Sequence, residues 1–359
     1  MEGTFAHLDG HEQVVFGHDE VSGLRCIIAI HSTALGPSLG GTRFRAYDDE
    51  EEALADVLRL AKAMTYKSAC AGLDVGGGKA VILGDPATLR SEELLRAYGR
   101  VIESLGGRYV TACDVGTTPD DMAVIQRETR WATGADPVEG GSGDSGVLTG
   151  LGVYLSMKAA AVAAFGSEEL AGRHVAVQGL GKVGRRLVEH LLAEGAKVSV
   201  ADVSEQAVER VAERPGVEVV HVEDVLAIDA DIVSPNALGG VLNASSIAEL
   251  QARVVCGGAN NQLLAEEEDA ERLRERDILY APDYVVNAGG VINVADELHP
   301  QGHSPERARR RVQAIPATLS RIFAVAAEEG VSTELAASRV AERRIAAVGG
   351  LQRFRLPPR

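Results

Sequence analysis

Short apolar runs bounded by turn residues open the chain. "EQVVF", "LRCIIAI" and "GTRFRAY" read as strands. The period then changes. In "DDEEEALADVLRLAKAM", Leu54, Val57, Leu58, Ala61 and Met64 recur on one face of a helix. Acidic residues load its first turn, where they complement the helix dipole. Lys67 follows three residues after Met64, at the margin of the buried face. "KAVIL" and "YVTAC" are short buried strands with the helix "SEELLRAYGRVIESL" between them. This mixture predicts an α/β domain over residues 1–140.

Residues 133–146, "TGADPVEGGSGDSG", are rich in Gly, Ser, Asp and Pro and read as a boundary or hinge. A helix over "VLTGLGVYLSMKAAAVAAF" follows. Strand and helix runs then alternate through "HVAVQG", "KVSVAD", "VEVVH", "ADIVSP", "RVVCGG" and "DILYAP". Such alternation implies a parallel, doubly wound sheet over residues 141–330. The remainder is helical, and a helix about 330–359 is expected to return to the first domain. The expected fold is therefore α/β: an N-terminal substrate domain, then a Rossmann domain, with a cleft between them.

A chain of 359 residues is long enough for two domains with cores of their own. Its net charge of −16 argues against nucleic acid or an anionic membrane as partner. The start, "MEGTFAHLDGHEQ", lacks the basic and apolar regions of a secretory signal. The most apolar stretch, "LGVYLSMKAAAVAAFG", carries Lys158 and reads as too short to span a membrane. Four cysteines without a C-x-x-C pair read as reduced thiols of a cytoplasmic protein. His7/His11 and His299/His303 have i,i+4 spacing, but glycine or proline interrupts each pair, so no metal site is expected.

Two glycine stretches carry the candidate chemistry. "GLDVGGGKAV" places three glycines before Lys79. It fails the phosphate-loop pattern, because Leu73 stands for the first glycine and Ala80 for the hydroxyl residue. The glycines read as a tight turn that delivers Lys79 into a strand. "HVAVQGLGKVGRRLVEHLLAEGAKVSVAD" holds Gly179, Gly181 and Gly184 as G-x-G-x-x-G between a strand and a helix, with Asp202 ending the next strand 23 residues on. That spacing fits a dinucleotide site. Gly179 makes the turn, Gly181 admits the pyrophosphate to the helix N-terminus, and Gly184 lets helix and sheet pack. Leu180, Lys182 and Val183 complete the turn. Asp202 would bind ribose hydroxyls and repel a 2′-phosphate, which favours NAD over NADP. Lys67, Lys79 and Asp114 lie at or near the ends of neighbouring elements of the first domain. Together they suit an anionic substrate.

"LGGTRF", "AMTYKSACAGLDVGGGKAVI", "YVTACDVGTT", "QGLGKVG", "CGGANNQL" and "APDYVVNAGGVINVADEL" occur in this order along nearly the whole chain. They resemble the Glu/Leu/Phe/Val dehydrogenase family, nearest to its valine and leucine dehydrogenases. The resemblance implies NAD-dependent, reversible deamination of a branched-chain L-amino acid to the 2-oxo acid and ammonia by a homo-oligomer. Phenylalanine or glutamate dehydrogenase activity, or a non-catalytic NAD sensor, are the alternatives. It implies that Lys67 binds the substrate carboxylate, that Lys79 is the general base, and that Asp114 exchanges a proton with the substrate nitrogen. Asn261 would lie near the carboxylate. Arg43, Thr149, Asn287, Asn236 and Ala237 would lie on the cofactor side. Asn236 stands where the family usually has cysteine. Glutamate-specific relatives carry a lysine where this chain has Leu39 and a serine where it has Val294. Those two residues, with Gly40, Ala112 and Val291, would line an apolar side-chain pocket.

Overall fold

The computed structural model describes residue 8 and residues 10–353. His7 lies outside them. The described chain divides into two compact units and passes between them four times. One unit comprises the residues up to Gly143, Val291–Ala308, and those from Ala341 on. The other comprises Asp144–Gly290 and Arg309–Val340.

The first unit is built on a five-stranded mixed sheet: β1 (Gln13–Asp19), β2 (Leu24–Ser32), β3 (Ser38–Arg45), β4 (Gly76–Leu83) and β5 (Tyr109–Cys113), in the order β1-β2-β4-β3-β5. β2 is antiparallel to β1 and β4, while β3 runs parallel to β4 and β5. Side chains alternate between the faces of a sheet. One face packs on the helix Glu92–Ser104 through Ile28, Phe44, Ile82, Tyr98 and Ile102. The other packs on α1 (Glu50–Cys70) through Ile27, Ala29, Val57, Ala61 and Val81. Asp49 caps α1, accepting from the Glu52 amide, and three glutamates fill the first turn. The helix runs six residues past Met64, so Lys67 sits within its last turn.

Gly76, Gly77 and Gly78 do not form a turn. They are the first three residues of β4. None has positive φ, so close approach is what demands glycine here. A Cβ on Gly76 would lie 1.9 Å from the Ser32 carbonyl oxygen. A Cβ on Gly77 would lie 2.1 Å from the Thr65 amide nitrogen of α1. A bare backbone lets α1 press onto β4, and Lys79 enters the sheet opposite Ala29. Gly77→Ala is expected to destabilise the protein by about 3 kcal/mol, the top of the overpacking range, because backbone rather than a side chain must yield. A urea midpoint within error of the parent would show that α1 has room.

The second unit holds a six-stranded parallel sheet: β6 (His174–Gln178), β7 (Lys197–Ala201), β8 (Val217–Val219), β9 (Ile232–Pro235), β10 (Val254–Val255) and β11 (Leu279–Tyr280). Its order, β11-β10-β9-β6-β7-β8, is the doubly wound arrangement with the switch between β6 and β9. The helix Ser145–Phe165 is longer than the apolar stretch suggested. At 21 residues it is the one described helix long and apolar enough to cross a membrane. It is instead a core helix, buried at Leu148, Leu151, Val153, Met157, Ala160 and Ala161 and packed on Lys182–Glu194 and Ile315–Glu329. Lys158 reaches its edge and pairs with Glu194 at 2.8 Å.

Candidate active site

Strand alternation assembles the first group of residues. On β4, Lys79 shares the α1 face with Val81. On β3, Leu39, Gly41 and Arg43 share that face. β5 continues it through Ala112 to Asp114, just past the strand end. The outcome is an ion pair between Lys79 Nζ and Asp114 Oδ2. Lys79 is only 7% exposed. Arg43 Nε donates to the same Asp114 oxygen at 3.2 Å, and the Val115 amide donates to Oδ1 at 2.8 Å. Burial alone would raise the Asp114 carboxyl. The charges of Lys79 and Arg43 outweigh it and hold the pKa at about 2. Asp114 is thus ionised at any working pH.

Gly41, which the sequence reading did not single out, makes room for this carboxylate. A Cβ there would lie 2.9 Å from Asp114 Cβ. Gly40 is used differently: its Cβ would lie 1.7 Å from the Gly78 carbonyl oxygen, so it serves strand packing. Leu39 is fully buried, pairing with Gly77 and Val110, and Ala112 and Val291 are buried. Val294 is half-buried on the helix Gly289–Asp296. Glu297, just past that helix, accepts from the amides of Gly134 at 3.1 Å and Ser142 at 2.9 Å. Asn293 donates to the Ser142 carbonyl. The chain after β5 is therefore fastened to the segment bearing Val291 and Val294. Lys67 is half-buried next to Ser68, whose hydroxyl donates to the Gly76 carbonyl.

The residues expected near a dinucleotide lie in the second unit, with the exception of Arg43. Gly179 has φ +91°, a conformation that favours glycine. A Cβ on Gly184 would lie 1.9 Å from the Gly179 carbonyl oxygen. Gly181 caps the 13-residue helix Lys182–Glu194 without any side-chain cap, and a Cβ there would meet nothing within 4 Å. An open glycine before free helix N–H groups fits a pyrophosphate. Asp202 accepts from the Leu180 amide at 2.6 Å and the Ser204 amide at 2.8 Å, which places its carboxylate beside the glycine turn. These residues fit a dinucleotide.

A second loop lies in the same unit. Asn236 Oδ1 accepts from the Gly258 amide at 2.8 Å, with Ala237 exposed after it. Asn287 Nδ2 donates to Asn260 Oδ1 at 2.8 Å, while the buried Asn287 Oδ1 has no hydrogen-bond partner among the described residues. Asn261 is exposed and has φ +52°, uncommon for a residue with a side chain. The neighbouring Gln262 is locked: its amide donates to Asp283 and its side chain to the carbonyls of Gly257 and Ala259. Thr149 is buried, its hydroxyl donating to the Ser145 carbonyl.

Comparison with known proteins agrees with this geometry. Residues 11–131 match the Glu/Leu/Phe/Val dehydrogenase dimerisation domain, and residues 140–205 and 200–350 match the Glutamate/Leucine/Phenylalanine/Valine dehydrogenase domain. The chain belongs to the Glu/Leu/Phe/Val dehydrogenase family. It is 56% identical to a valine dehydrogenase of Streptomyces coelicolor over 96% of this chain and 95% of that one. It is 51% identical to a leucine dehydrogenase of Bacillus cereus over 94% and 92%. Among solved structures, it is similar to an L-tryptophan dehydrogenase from Nostoc punctiforme, with a TM-score of 0.84 and 44% identity over 96% of this chain and 98% of that one. As a member of this family the protein is an NAD(P)-dependent amino-acid dehydrogenase acting on small amino and 2-oxo acids.

The family's motifs do not identify every residue at the site. Asp56 of α1 holds the far side of Arg43, and Glu297 holds two loops. Glu297 gave one signal, an acid closing the "VINVADEL" motif. Asp56 gave none beyond standing on a helix margin three residues before Arg59.

Proposed function

We propose that the protein oxidatively deaminates a branched-chain L-amino acid, valine or leucine, using NAD, and that Lys79 and Asp114 carry the proton chemistry. The observation that supports this most directly is the buried Lys79–Asp114 pair, with its acid held at about 2. Bound at Gly179–Gly184 and Asp202, the dinucleotide supplies the hydride acceptor. Lys67 receives the substrate carboxylate. Once the α-hydrogen has left as hydride the substrate is an iminium, and Lys79, as the free amine, takes a proton from water as the oxygen bonds to the α-carbon and the C=N double bond opens to a single bond. Asp114, ionised beside it, takes a proton from the substrate ammonium and returns it to the same nitrogen as the C–N bond breaks and ammonia leaves. The products are the 2-oxo acid and ammonia. NADH absorbance with NAD and a panel of L-amino acids tests the reading. Valine or leucine should lead, and a lead by glutamate or phenylalanine would replace it.

The preference for NAD rests on Asp202. Asp202→Ala should weaken NAD binding by about 1.5 kcal/mol or more, the worth of a hydrogen bond to a charged group, and relax the exclusion of NADP. Steady-state constants for both cofactors decide it. An unchanged ratio places the discrimination elsewhere. We further assign residues 1–140, together with Val291–Ala308 of the same unit, to substrate binding and assembly, and the rest of 141–330 to the dinucleotide. The dimerisation domain matched by residues 11–131 supports a homo-oligomer. Four free cysteines, three of them buried, support a cytoplasmic setting.

A further inference from the structure

Arg43 sits where a cofactor contact was expected, yet its guanidinium is held between two carboxylates of the first unit. Nε donates to Asp114 Oδ2 at 3.2 Å, and Nη1 donates to Asp56 Oδ2 at 3.0 Å. Asp56 is itself anchored: Tyr47 donates to Oδ2 and Arg59 to Oδ1, both at 3.0 Å. Arg43 and Asp56 side chains are 18% and 13% exposed. The charges alternate along one line, from Lys79 through Asp114, Arg43 and Asp56 to Arg59. The line joins β4, β5, β3 and α1. A guanidinium can hold two carboxylates in fixed directions at once, whereas an ammonium is a point charge on a flexible stem.

We propose that Arg43, clamped by Asp56, is a positioning residue that holds the Asp114 carboxylate against Lys79. This rests on the functional reading above. Arg43 also contributes positive charge at Asp114. Lys79 from β4 and the Val115 amide face Asp114 as well. Buried Tyr109 on β5 is pushed up to about 12 and stays neutral. Burial raises the Asp56 carboxyl, but Arg43, Tyr47 and Arg59 more than reverse this, so Asp56 remains the anionic anchor.

The test compares Arg43→Gln, Arg43→Lys, Asp56→Asn and the double variant Arg43→Gln/Asp56→Asn, measured in the full enzyme with valine and NAD. Arg43→Gln should lower kcat about 100-fold, the cost of a reacting group misplaced by about 1 Å. Removing a positive charge raises the pKa of every neighbouring group. The acid limb of kcat/KM should therefore move up by about one pH unit. Arg43→Lys keeps the charge and loses the fork, so kcat should fall about tenfold with the limb in place. Asp56→Asn should cost about tenfold, and the double variant no more than Arg43→Gln alone, because Asp56 acts through Arg43. The dissociation constant of NADH should not change in any of them. The proposal is overturned if Arg43→Gln keeps kcat within twofold and its acid limb in place, or if it weakens NADH with kcat intact. If Arg43→Gln does not fold, native kcat in both Arg43→Lys and Asp56→Asn overturns it equally. Lys79→Ala separates the two levels. An active Lys79→Ala removes the functional reading itself, while an inactive one beside silent Arg43 variants removes only the role of Arg43.

Discussion

Lys79→Ala should lose about 10²- to 10⁴-fold in kcat on valine, the usual cost of removing a positioned acid or base, while NAD binding stays near native. The expectation follows from the place of Lys79 in the sheet. Three glycines bring the start of β4 against α1, and Lys79 enters the strand one residue later. Its side-chain nitrogen is buried against Asp114, the acid the proposed reaction uses. Alanine at this point also removes the Lys79 charge that holds Asp114 down, so burial pulls the carboxyl upward. The depressed carboxylate contributes stability above its unfolded pKa of about 3.9 and loses it as pH falls toward 2. In the variant the gap to the unfolded value narrows, so this contribution is smaller and is fully lost at a higher pH. Stopped assays for kcat and a fluorescence titration with NADH separate catalysis from binding. A variant with native kcat makes Lys79 structural and ends the mechanism.

The double variant Leu39→Lys/Val294→Ser should lower kcat/KM on valine and raise it on glutamate. In the parent, valine or leucine should exceed glutamate by about 100-fold or more. No cation among Leu39, Ala112, Val291 and Val294 can meet a second carboxylate, and a penalty of about 2.7 kcal/mol already gives that ratio. The effective cost of burying an unpaired carboxylate is several kcal/mol as a rough figure. An aliphatic side chain gains roughly 0.8 kcal/mol per buried CH₂ in the same space. Leu39 shares its face with Gly41 and Arg43 and lies one strand from Val110 and Ala112, which places it in line with Asp114. Its full burial means a lysine there needs the substrate carboxylate as partner, so thermal unfolding with and without glutamate should be recorded alongside the rates. Parental preference in a folded double variant would show that these two residues do not line the pocket.

Much of this was legible because periodicity and glycine spacing report local geometry. The Rossmann half followed from strand–helix alternation and from Gly179, Gly181, Gly184 and Asp202, all within one strand–helix–strand span. Lys79 and Asp114 were legible as residues of the right type, and their contact followed only from the crossing of β3 between β4 and β5. The triple glycine was misread as a turn. Glycine serves both turns and close packing, and only the amide of Thr65 at 2.1 Å from an imagined Cβ tells the two apart. Asp56 was hidden for a similar reason: an acid on a helix margin is ordinary until the strand opposite presents an arginine. Arg43 was assigned to the cofactor by resemblance, while its hydrogen bonds in this chain go to Asp56 and Asp114.

The order in which the ribosome delivers the chain gives the Glu297 clamp a further consequence. Ser142 emerges 155 residues before the carboxylate that receives its amide, and Gly134 emerges 163 before. At roughly 5–20 residues per second, these amides wait about 8–30 s for their acceptor. During that interval the whole of Asp144–Gly290 is made. The nascent first half therefore exists for many seconds with a finished sheet and an unfastened loop, and a chaperone or protease has that long to find it.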